Sequence, residues 1–306
     1  MGFAVRDLAA SGAWAHGYAA VNGIEMHFVR EGQGAPIFLL HGWPEFWWGW
    51  HRNIPALAQH FDVIAPDFRG FGETKRAGPE EFGPQEHASD LLALADALGI
   101  ARFGLVGHDV GAYVAQNVAR MAPERVTGLF FFNGPHPGIG RRWVDADHVP
   151  EIWYQSFNQL SWAQALVGHS RETCRIFYEG MLRHWAHADS VVDQVIDAFV
   201  DNFMAPDNIA GGFAWYRATH AARMALVRNG APSLPPIETP ARFFWGAHDP
   251  VIKADWADTL PQYFTDAEVE IAEGAGHFVH LETPDAANAR VIDFFTKLTS
   301  EVSHDH

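Results

Sequence analysis

Gly107-His108-Asp109-Val110-Gly111 lies between an apolar run, Phe103-Gly104-Leu105-Val106, and a stretch of helical spacing, Ala112 to Arg120. The run reads as a short buried strand and the stretch as a helix. A small-X-Asp-X-Gly turn joining the two suits a nucleophile elbow. Glycines at 107 and 111 let strand and helix approach closely, and the central side chain is left exposed above the sheet. Such elbows usually carry serine. Here the centre is Asp109, and a lone aspartate at a turn is common enough that its companions must decide the reading.

Outward from the elbow the chain alternates strand and helix. Tyr18–Val21 and Ile24–Val29 flank Asn22-Gly23 and predict a hairpin with a type I′ turn. Pro36–Leu40 is a predicted buried strand running into His41-Gly42-Trp43-Pro44, and Phe61–Ala65 is another, ending in the turn Asp67-Phe68-Arg69-Gly70-Phe71-Gly72. Helices are expected over Trp47–Gln59 and Pro84–Leu98, and a further strand over Val126–Phe132. From about Pro135 to Pro236 no buried strand is legible; aromatic-rich helical stretches run over Glu151–Val167, Thr173–Trp185 and Val191–Phe203. Strands return at Ala241–Trp245 and Ala267–Ile271, before an amphipathic helix from Pro284 to about Lys297. This order predicts a doubly wound, mostly parallel sheet with the hairpin at one edge. A helical insertion would lie above the carboxyl ends of the strands, where open α/β sheets bind ligands. The expected organisation is core 1–134, helical lid 135–236 and core 237–306, with a frayed tail at Ser303–His306.

Composition narrows the function classes. The 306 residues are 48% hydrophobic, enough for one large α/β core with an inserted subdomain or for two small domains. A net charge of -16 argues against nucleic acid or an anionic membrane as partner. The single cysteine, Cys174, leaves no intramolecular disulfide and reads as a buried small hydrophobe in the lid. Met1–Leu8 lacks the apolar core of a signal peptide and no run is long enough to span a bilayer, so cytoplasm is the expected location. A homodimer is compatible with the sequence.

Two companions give Asp109 its chemistry. Trp245-Gly246-Ala247-His248-Asp249 offers a carboxylate just past a strand, and Glu273-Gly274-Ala275-Gly276-His277 a histidine beyond the next. Nucleophile, acid, histidine is the chain order of a triad assembled at strand ends. His41-Gly42-Trp43-Pro44 would bring the Trp43 backbone N–H near the elbow, with that of Val110 as a second oxyanion donor. Among the 18 histidines, His41 and His108 read as backbone hydrogen-bonders in tight loops. His248 reads as a lid or solvent contact, and His280 as the start of a helix. His184 and His187 lack acidic partners at ligand spacing, and no metal motif appears.

Together HGWP, DFRGFG, GHDVG, WGAHD and GAGHF resemble the α/β-hydrolase family, and within it the soluble-type epoxide hydrolases, over nearly the whole chain. The resemblance implies an eight-stranded, mostly parallel sheet with an inserted lid and no cofactor or metal. It implies Asp109 as nucleophile, Asp249 and His277 as its partners, and an oxyanion hole from Trp43 and Val110. Tyr154-Gln155-Ser156-Phe157-Asn158-Gln159 is similar to the family's first lid-tyrosine segment, with Asn158 where phenylalanine is usual. Ala214-Trp215-Tyr216-Arg217 is similar to the second. Tyr154 and Tyr216 would then grip the ring oxygen of a small apolar epoxide, water would complete the hydrolysis, and Trp153, Phe157 and Trp215 would line the substrate pocket.

Two other readings stay open at this point. Haloalkane and haloacetate dehalogenases share the aspartate, but usually place Trp or Arg after it. Here Val110 stands, and Asn133-Gly134 occupies the place where haloacetate enzymes tend to carry their acid. Val110 also departs from the Trp or Arg frequent in epoxide hydrolases and resembles a divergent bacterial subgroup. A non-catalytic binder using the same pocket is the third reading, disfavoured by the intact apparent triad.

Overall fold

Asn22 and Gly23 both adopt positive φ, 44° and 79°, as a type I′ turn requires, and they join β1 (His16–Val21) to β2 (Ile24–Gly32) in antiparallel register. The structure is a computed structural model that describes residues 14–75 and 82–302; the Met1–Leu8 and Ser303–His306 readings fall outside these residues. Six further strands complete the sheet: β3 (Ala35–Leu40), β4 (Phe61–Pro66), β5 (Phe103–His108), β6 (Val126–Phe132), β7 (Ala241–Gly246) and β8 (Ala267–Ala272). Their order is β1-β2-β4-β3-β5-β6-β7-β8, parallel from β4 to β8, with β2 antiparallel to β4. The expected eight-stranded sheet with its hairpin at one edge is therefore present. Residues of β4 and β5 are buried throughout, as strands covered on both faces must be, whereas the edge strand β8 exposes Glu268 and Glu270.

Around the sheet lie α1 (Pro84–Ala97) and α2 (Val110–Met121), which pack on each other. Trp47–Gln59, expected as one helix, is instead a 3₁₀ turn at Trp47–Trp50 and a single α turn at Ile54–Leu57. Pro55 has no N–H with which to continue a helix from the preceding turn, and it sits in the first turn of the second piece, where that N–H is not needed. Between β6 and β7 come α3 (Arg171–Trp185), α4 (Asp189–Met204), α5 (Asn208–Ala218) and α6 (His220–Asn229), of which the last two were not separately legible in the sequence. Glu151–Val167 is not one helix but short turns at Val149–Ile152, Trp153–Phe157 and Ala163–Val167. Asn158, a weak helix former, is the C-cap of the middle turn. Cys174 is buried on α3. The last helix, α7, runs over Pro284–Val302. No helix among the described residues is long and apolar enough to cross a membrane.

The inserted helices are clamped to the core by backbone contact. A Cβ on Gly211 of α5 would lie 2.0 Å from the carbonyl oxygen of Gly70, so glycine is what lets α5 touch the Asp67–Gly72 turn. Asn208 then donates from Nδ2 to the Gly72 carbonyl at 2.9 Å. The turn itself is held by Asp67, whose carboxylate accepts from the backbone N–H of Trp47 and Glu73 and pairs with His27. These contacts fix the N-terminal half of α5, and Trp215 and Tyr216 follow about one turn beyond Gly211 on the same helix.

Candidate active site

β5 delivers the elbow. Asp109 has φ 45° and ψ -114°, a sparsely populated conformation for a non-glycine residue and one that must be held by its surroundings. The surroundings are tight. A Cβ at Gly111 would meet the Leu40 carbonyl oxygen at 2.1 Å, and one at Gly42 would meet the Asp109 Cβ at 2.8 Å. Strand β3, the elbow and the Gly42 loop therefore interlock only because these two positions carry no side chain.

The three expected triad residues converge. His277 Nδ1 lies 2.8 Å from Asp249 Oδ2, and its Nε2 lies 4.0 Å from Asp109 Oδ2. Among the described residues, Nε2 has no hydrogen-bond partner. Asp249 is fixed by donors from every side: Val251 N–H at 2.8 Å and Ile252 N–H at 3.0 Å on Oδ1, and Asn133 Nδ2 at 2.7 Å on Oδ2. The His277 backbone N–H donates to Trp185 of α3, tying the ring to the inserted segment. Burial opposes charge on His277. The Asp249 carboxylate, with Asp109 and Glu45 behind it, outweighs that and raises the ring to about 9. Burial lifts Asp109 above the ordinary carboxylate value, against the pull of His277, of His108 and of the Trp43 backbone N–H that donates to it.

Above the carboxylate stand the two expected tyrosines. Tyr154 stacks on Trp43 with ring centroids 5.2 Å apart and planes 4° from parallel; Tyr216 meets the same indole edge-on at 5.2 Å. Both are buried. Burial pushes both phenols above the ordinary tyrosine value; the Asp109 charge comes next at Tyr154, whereas at Tyr216 the neighbouring Tyr154 comes next and Asp109 after it. Both therefore stay protonated as donors at neutral pH. Asp109, Val110, Tyr154, Trp215 and Tyr216 line one cavity of about 320 Å³, together with Tyr113, Trp143 and Arg223.

Trp153 and Phe157, expected in that pocket, line a separate groove with Ile176 and Phe177, and Trp153 is 49% exposed. The reason is helical geometry. Residues 153 and 157 are four apart and share a face, while Tyr154 is turned about 100° away and points inward. His108 was expected to bond backbone only. It does so at the His277 carbonyl, 2.9 Å, but its Nδ1 also meets Glu45 Oε2 at 2.6 Å. His248 stacks on His187 of the inserted segment, and His280 lies on the short helical turn Val279–Glu282, as read from the sequence.

Sequence reasoning missed Glu45 and the role of Asn133. Glu45 is buried directly after the HGWP turn, where it accepts from the Gly42 N–H at 2.8 Å, from His108 and from His280 at 3.0 Å. Its place beside the turn was the available signal. Glu45, His108 and His280 bring ligand-type atoms together, but both Glu45 oxygens are spent on these hydrogen bonds, which read as a brace between the Gly42 loop and the His277 loop. A second such set, His16, His27 and Glu73, is not part of the cavity lining.

A family model described as alpha/beta hydrolase fold matches residues 35–284. The chain is similar to the soluble epoxide hydrolase of Corynebacterium sp. (strain C12), 30% identical over 289 residues that span 92% of this chain and 98% of the relative. It is 28% identical to epoxide hydrolase 2 of Siraitia grosvenorii, over 92% of this chain and 98% of that protein. Among solved structures, the epoxide hydrolase CorEH without ligand superposes with a TM-score of 0.83 at 28% identity, covering 93% of this chain and 99% of that one.

Proposed function

The chain belongs to the alpha/beta-hydrolase fold family, beside its soluble epoxide hydrolases, and we propose that it hydrolyses a small apolar epoxide to a vicinal diol through an ester on Asp109. The observation that carries this reading is the pairing of a carboxylate elbow with two buried, protonated phenols facing the same cavity. A carboxylate attacks saturated carbon, and phenols supply what an epoxide needs and a carbonyl does not: a proton for the ring oxygen as it leaves. Residues 135–236 serve as the lid that brings those phenols over the nucleophile.

In the first step an Asp109 oxygen bonds a ring carbon, that carbon–oxygen bond breaks, and the alkoxide takes a proton from Tyr154 or Tyr216. In the second, His277, oriented by Asp249, removes a proton from water. The hydroxide adds to the ester carbonyl of Asp109, and the Trp43 and Val110 N–H groups stabilise the oxyanion. Collapse breaks the acyl–oxygen bond, releases the diol and restores the carboxylate; water protons replace the one the phenol gave.

Position 110 is valine and offers no side-chain donor to a departing halide, which sets epoxide opening ahead of dehalogenation. Offering styrene oxide, a haloalkane and a haloacetate side by side, scored for diol and for free halide, tests the assignment: diol is expected, and halide release without diol would overturn it. Tyr216→Phe is expected to slow ester formation from the epoxide by roughly 10²-fold, the lower range for a general acid. Rapid-quench measurement of the first turnover checks this; an unchanged opening rate would remove Tyr216 from the reaction.

A further inference from the structure

The cavity over Asp109 is bordered by a cation that neither step of the reaction above places in contact with the reacting atoms. Arg223, on α6, lines it with Asp109, Tyr154 and Tyr216. Its guanidinium carbon lies 5.8 Å from the centre of the Tyr216 ring, and its charge is felt at the hydroxyls of Tyr113, Tyr154 and Tyr216. Arg69, Arg142, Arg183 and Arg290 each hold a carboxylate. Among the described residues none forms an ion pair or a side-chain hydrogen bond with Arg223. Asp109 makes no ion pair with Arg223, and Glu86, the other acid of the cavity lining, is turned to its own helix end, where it accepts from the Gly83 N–H at 2.8 Å.

In a chain of net charge -16, a half-buried guanidinium left without an acid beside the site is a donor fork awaiting an anion. Resting on the epoxide reading above, we propose that Arg223 is a specificity-determining residue that binds a carboxylate carried by the substrate away from its ring. The substrate class is then an epoxy acid, with the epoxide at the Asp109 end and the carboxylate at the α6 end. One guanidinium balances one negative charge, and the lining already contains Glu86, so a monoanionic carboxylate fits better than a doubly charged phosphate.

The test compares 4-(oxiran-2-yl)benzoate with its methyl ester, and terminal epoxy acids of increasing chain length with theirs, in the full-length enzyme and in Arg223→Met and Arg223→Lys. The enzyme is expected to favour acid over ester by about tenfold or more in kcat/KM, the scale of a charge-assisted hydrogen bond, chiefly through KM. Arg223→Met should bring the ratio toward one and Arg223→Lys should restore part of it. Equal use of acid and ester at every chain length overturns the proposal. So does a loss in Arg223→Met that is the same for both, since that places Arg223 in support of the tyrosines instead. Diol from the neutral esters and from styrene oxide, with no acid preference, removes the role of Arg223 and leaves the epoxide reading standing. No diol from any compound removes both.

Discussion

Asp109→Asn is expected to lose diol formation by on the order of 10⁴-fold or more, as removal of a covalent nucleophile does. The substitution keeps the shape of the side chain. It also keeps the backbone, because asparagine tolerates φ near 45° better than most residues, so the elbow should fold. What changes is chemical: the amide has no charged oxygen to form the ester, while Trp43, Tyr154, Tyr216 and His277 remain around it. Asp109→Ala should be equally inactive. Rates should be read on freshly purified protein with a matching thermal melt, since deamidation would restore the aspartate. Undiminished diol formation in either variant would remove Asp109 from the role of nucleophile.

His277→Gln is expected to divide the reaction at its midpoint. Ester formation does not require the imidazole as a base, so the variant should consume about one equivalent of epoxide and then stop. Turnover should fall by on the order of 10³-fold or more, while the protein gains mass. The mass itself is informative. Ring opening adds the whole substrate, whereas displacement of a halide would add the substrate less the hydrogen halide. Peptide mapping should put the addition on Asp109. Continued turnover with no added mass would show that another group activates water.

The same residue sets a pH dependence. In the free protein His277 is raised to about 9, burial being outweighed by Asp249 and then Asp109, so at neutral pH the ring carries its proton beside two carboxylates. On the proposed route, ester formation would consume the Asp109 charge and lower the His277 pKa from that value, which would free the ring to act as base in the second step. Hydrolysis of the ester should therefore slow as pH falls through this lowered pKa.

How much of this was legible beforehand follows from where the information sits. Strand ends and tight turns have local signatures. Asn22-Gly23, the GHDVG elbow and the order Asp109, Asp249, His277 were readable because backbone conformation demands particular residues there. The inserted helices were harder. Trp153 and Tyr154 are neighbours in sequence and face opposite ways in space, and only the path of the short turns between Val149 and Val167 decides which enters the cavity. Glu45 and Asn133 were invisible as partners because their contacts, with His280 and Asp249, join segments far apart in the chain. Arg223 was silent for the same reason, its meaning arising from acids that do not approach it.

A single turnover with enzyme in excess, run in water enriched in ¹⁸O, bears most directly on the covalent route. If the ester forms on Asp109 and water attacks its carbonyl, the diol takes its second oxygen from the protein. The first-turnover diol is then unlabelled, and the label appears in the Asp109 carboxylate. Label in that first diol, with none on the peptide carrying Asp109, would mean that water attacks the epoxide directly and would contradict the mechanism.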